Sequence, residues 1–146
     1  MIMNNILRQK SLLNIGKLVL VFIASTYSAI IYADKFAATE QISEKLGYKV
    51  SVVSKDAPIE INELHQWELM LEDSKGEPVD DAEIKVSGGM AAHGHGLPTE
   101  PLASGEEQPG MYLVEGMKFQ MGGVWTVNFE ITAEEGTDTV TFELKL

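Results

Sequence analysis

Two hydrophobic patterns divide the chain. From Leu18 to Ala33 the residues LVLVFIASTYSAIIYA form an unbroken run without a charge. From Gly47 onward apolar residues alternate with polar ones, the period of a strand with one buried face. Val50 and Val52 share a face of a first strand. In ELHQWELMLE, His65, Trp67, Leu69 and Leu71 fall on the core side, and Leu64, Gln66, Glu68 and Met70 on the other. The Asp73–Gly76 segment is a turn, because Asp and Gly supply the backbone conformations a reversal needs. Ala82, Ile84 and Val86 alternate inward next, followed by a Gly- and Pro-bearing loop from Ser87 to Gly110. Tyr112 and Val114 resume a strand. Trp125, Val127, Phe129 and Ile131 give the cleanest alternation of the chain, and after Glu135–Gly136 the residues Val140, Phe142, Leu144 and Leu146 form a last strand. Short alternating strands with regular turn signals predict an all-β fold, an immunoglobulin-like β-sandwich of about seven antiparallel strands. A hydrophobic signal or anchor helix is expected ahead of it.

The N-terminal run is preceded only by the charges Arg8, Lys10 and Lys17. A basic region, an apolar region and a small residue at its end are the parts of a secretory signal. Residues 1–33 are therefore expected to be a signal peptide cut after Ala33, or an uncleaved membrane anchor, with the basic end in the cytoplasm. Residues 34–47 are expected to be a linker or short helix, and 48–146 the β domain. The domain is thus expected in the periplasm or otherwise outside the cytoplasm, free or tethered to the membrane. Without cysteine the chain has neither a lipoprotein attachment site nor disulfides. Beyond residue 33, 22 acidic residues face 8 lysines and no arginine, a net charge of −14. Nucleic acid is excluded as a partner, since phosphate binding needs a basic surface.

The chain has three histidines. His93 and His95 stand in GGMAAHGHGLPT with Met90 just before them, His65 opens a strand, and Met117 and Met121 flank Phe119 in GMKFQMGGVW. Strand ends of a sandwich meet at a pole, where these segments can converge. Imidazole suits copper and zinc, and thioether favours copper(I). The expected metal ligands are His93 and His95 at the centre, His65 as third, and Met90 or Met121 as a soft fourth, with copper ahead of zinc. Each element also has a packing explanation: a hydrogen-bonded core histidine at His65, and methionines filling gaps beside Phe119. Trp67 and Trp125 are expected in the core.

The segments LHQWEL, GGMAAHGHGLPT and YLVEGMKFQMGGVW resemble the YtkA-like domain of exported bacterial proteins, over roughly Tyr48 to Leu146. The resemblance implies a β-sandwich related in fold to immunoglobulin-like copper-handling proteins, with the His/Met loop at one end. In that family the loop often runs Met-Pro-x-His-x-His. Here Ala91 and Ala92 take the place of the Pro-containing stretch, and Met90, His93 and His95 are the positions that carry over. Asp34 as a new N-terminus does not match chaperones that bind copper through the terminal amine and a histidine.

Three readings compete. The first is a metal-binding carrier or assembly module, with a metal ion and a membrane or periplasmic protein as partners. The second is a metal-free interaction module whose His/Gly loop shapes a surface. The third, an enzyme, would need an open metal position and a base such as Glu63 or Glu100. No nucleophile elbow or phosphate-binding glycine loop is present. A non-catalytic binding domain is therefore expected.

Overall fold

The computed structural model describes residues 39–146. The expected signal or anchor helix lies outside these residues. Among the described residues no helix is long and apolar enough to cross a membrane.

Nine strands follow one another: β1 (Thr39–Ile42), β2 (Lys49–Ser54), β3 (Leu64–Glu72), β4 (Glu83–Met90), β5 (His95–Gly96), β6 (Leu102–Gly105), β7 (Met111–Lys118), β8 (Val124–Ala133) and β9 (Gly136–Lys145). The expected number was about seven. Three short strands lie where none was expected: β1 within the expected linker or short helix, and β5 and β6 within the expected Ser87–Gly110 loop, into which β4 also extends. β1 is an exposed edge strand whose residues carry no buried alternation, so periodicity cannot reveal it. β5 is a two-residue strand folded back on the end of β4.

All pairings are antiparallel, in the order β1-β2-β3-β7-β6-β4-β8-β9, with β5 beside β4. β1 also lies against β9, so the strands form one sheet that nearly closes on itself as a barrel, not the expected immunoglobulin-like sandwich of two sheets; alternation sets each strand's inward face but not how the strands close. The two halves join weakly through β4 and β6, which share the single register pair Lys85–Leu102.

Period-2 alternation sends one face of every long strand inward. Val50, Val52, Trp67, Leu69, Leu71, Val114, Phe129 and Ile131 are all but completely buried. Phe119 sits between the two indoles, with ring centres 6.1 Å from Trp67 and 5.3 Å from Trp125. The edge-on contact with Trp125 is a favourable aromatic geometry.

One irregularity matters for the site. From His65 to Trp67 β3 advances two residues, while its partner β7 advances three, from Val114 to Met117. The extra residue makes a β-bulge at Glu115–Gly116. Gly116 has φ +82°, a conformation that a side chain disfavours. The bulge reverses the parity of β7. Tyr112 and Val114 point inward before it, and Met117 and Phe119 point inward after it.

Candidate functional site

Antiparallel register brings three segments to one end of the barrel. β3 begins there and β7 ends there, as Leu64 pairs with Lys118. β4 ends there and β8 begins there, as Gly89 pairs with Thr126. His65, the 90–96 hairpin and the 119–123 connection therefore share a pole.

The hairpin tip carries two histidines in the open. Met90 and His95 are register partners across β4 and β5, and the turn is closed by His93 N–H donating to Met90 O at 3.0 Å. Gly94, with φ +65°, completes the reversal. The His93 and His95 rings are exposed, 6.3 Å apart between centres and only 17° from parallel. Two rings on opposite sides of an ion, each with a nitrogen about 2 Å from it, would have centres about 6 Å apart, whereas at the tetrahedral angle the centres would stand about 5 Å apart. The observed spacing fits an opposed pair.

The two methionines sit differently. Met90 is buried. Its methyl lies where Gly123 would carry a Cβ, so glycine at 123 makes room for the thioether. Met121 is about one-third exposed, at 37%, and belongs to the connection between β7 and β8. Its carbonyl accepts the Trp125 indole N–H at 3.0 Å, which fastens this connection to the core. Gln120 reaches Gly96 O at 3.5 Å, linking the connection to the hairpin. Met121 is thus available at the surface, whereas Met90 is packed beneath the tip.

His65 is separate from the exposed pair. It is buried, and its Nε2–H donates to Glu60 O at 2.9 Å. Among the described residues no three His, Cys, Asp or Glu side chains are placed to hold one metal ion together, so the three histidines do not form one such cluster. The physical reason is that His65 points into the core whereas His93 and His95 stand on a hairpin projecting from β4. The register partner of His65 is Met117, which is fully buried. The change of inward parity between Val114 and Met117, with a glycine at the switch, is the sequence signal that marks this placement.

A further polar feature lies at the opposite end. Asp138 on β9 accepts the backbone N–H groups of Lys45 and Leu46, both at 2.8 Å. These bonds, led by the one from Leu46, hold its carboxyl well below the usual carboxylate range, against the opposing effect of burial. Nothing in the local sequence marks it.

The YtkA-like family model matches residues 43–130, more than half of the chain. The protein belongs to the YtkA-like family. Among solved structures this YtkA-like chain is similar to FetP of uropathogenic E. coli strain F11, expressed in the periplasm of E. coli. Identity is 12%, coverage is 74% of this chain and 96% of that one, and the TM-score is 0.46. It is also similar to the ZirS C-terminal domain, at 14% identity, 82% and 75% coverage, and a TM-score of 0.39. Likeness this distant carries no functional argument. No curated protein matches the chain.

Proposed function

We propose that this YtkA-like domain is a non-catalytic, extracytoplasmic metal-binding module that takes up copper at its His/Met pole, as a carrier or assembly module. The observation that carries the reading is the exposed, nearly parallel His93–His95 pair at a spacing that fits a shared ion. Met121 on the adjoining connection is the accessible soft donor, suited to copper(I). Met90 lies too deep to join without moving away from Gly123. An extracytoplasmic location rests on the basic residues and apolar run that open the sequence. The metal would be held and passed on, with a membrane or periplasmic protein as the receiver.

The test is copper binding by the whole chain before and after the double change His93→Ala with His95→Ala. Both rings are exposed, so the variant should keep its melting temperature. Calorimetry with copper(II), and competition against a copper(I) chelator, should show the tightest site lost. Equal binding by both proteins would remove these histidines from the site. Unfolding of the variant would make them structural.

A metal-free interaction module is the second reading. Its supporting observation is the pair Leu64 and Leu102, 64% and 74% exposed on strands flanking β7.

A further inference from the structure

His65 combines three features that an ordinary core histidine does not. Its ring is buried, at 3% exposure, and Nε2 is committed to Glu60 O. A carbonyl can only accept, so Nε2 carries the hydrogen and Nδ1 of the neutral ring keeps its lone pair. That Nδ1 is buried with no hydrogen-bond partner. A buried polar atom left unsatisfied costs on the order of 1–3 kcal/mol, so such atoms are uncommon and call for a reason.

The cross-strand neighbour supplies one. Met117 is the register partner of His65, and both side chains point inward. Directly opposed residues on one face of an antiparallel pair have their Cβ atoms about 5 Å apart, within reach of long side chains. The bulge at Gly116 makes this possible, since strict alternation from Val114 would turn residue 117 outward. Trp67 on β3 and Phe119, just past the end of β7, are the next inward residues, which makes the surroundings apolar. The connection ahead of β3 is tied to the ring edge by Glu60 O, which accepts from His65 Nε2–H, and to Phe119 O by Asn62 N–H at 2.8 Å.

We propose that His65 Nδ1 and the Met117 thioether form a buried site for copper(I), distinct from the exposed His93–His95 pair. The inference shares the copper reading of the domain but not its exposed ligands. A histidine ligand characteristically donates its other ring N–H to a carbonyl, which fixes the tautomer, and Glu60 O does so here. Two neutral donors, one of them soft, suit a monovalent cation of low charge in an apolar setting. Zinc prefers a larger set with charged or further imidazole ligands, and no such set assembles among the described residues.

The experiment uses the whole chain carrying His93→Ala and His95→Ala, so that only buried ligands remain. Silver(I) is the redox-inert probe, and copper(I) is measured by chelator competition. One equivalent should bind. Nitrogen NMR should show the Nδ1 resonance of His65 moving while Nε2 keeps its proton, together with a shift of the Met117 methyl. Adding Met117→Leu, which conserves volume, should leave the melting curve in place and weaken binding by at least about tenfold, since even losing an outer-shell partner costs about that much. Absence of binding in the double variant, or equal binding after Met117→Leu, overturns the buried site. Loss of all binding in the double variant supports the exposed pair alone. A retained equivalent that Met117→Leu abolishes supports the buried pair, whatever the exposed histidines do.

Discussion

Asp138 accepts a hydrogen bond from Leu46 N–H at 2.8 Å across 92 positions of sequence. A second bond from Lys45 N–H makes the carboxylate a clasp between β9 and the turn that follows β1. This is where the first and last strands of the sheet meet. The clasp gives the barrel seam an acid sensitivity. The folded-state pKa is lowered, chiefly by the Leu46 N–H. Its stabilisation is therefore complete above the unfolded carboxyl value of about 3.9 and is lost as pH falls below it. Asp138→Asn should be less stable than the parent at neutral pH. The gap between their melting temperatures should narrow from about pH 4 downward, because the comparison removes the shared titration of the other carboxylates. A gap that is constant with pH would show that the charge is not what holds the seam.

Phe119 should be the most sensitive apolar position at the His/Met pole. It is fully buried between Trp67 and Trp125. Phe119→Ala should destabilise the domain by about 3–5 kcal/mol, from lost burial and the cavity left behind. Urea unfolding followed by tryptophan fluorescence measures both the stability loss and the altered surroundings of the indoles. A loss below about 1 kcal/mol would mean that the pole collapses around the cavity without penalty.

Gly116 tests the bulge. A Cβ there would meet nothing closer than Pro101 Cα at 3.7 Å, so space is available and only the φ of +82° resists substitution. Gly116→Ala should therefore cost about 1–2 kcal/mol, the scale of a left-handed conformation for a residue with a side chain. Denaturant titration reads the change. A neutral outcome would show that β7 can straighten, and with it the inward placement of Met117 would become dispensable.

Location can be checked directly. A reporter active only outside the cytoplasm, joined after Leu146, should be active in cells making the whole chain. A stable but inactive fusion would place the domain in the cytoplasm and remove the setting in which copper carriage is proposed.

The sequence by itself determined the all-β character and the inward face of most strands. Alternation settles these locally, because successive residues of a strand point to opposite sides. His65, Trp67, Leu69 and Leu71 are buried as that rule requires, as are Trp125, Val127, Phe129 and Ile131. The His-Gly-His segment was legible as part of a loop, but its exposure, and the strands β5 and β6 within that stretch, were not.

Tertiary structure decided what depends on partners distant in sequence. β1 exists because β2 and β9 give it something to lie against; its own residues bury no face. Asp138 matters only because the turn after β1 presents two free N–H groups to it. The histidines divide into a buried one and an exposed pair because one points into the core and two project from a hairpin. Pairing between β3 and β7, offset by one residue at Gly116, sets Met117 opposite His65. Periodicity reports the face a residue takes on its own strand, but register across strands is fixed by closing the whole sheet, and no local stretch of sequence contains it.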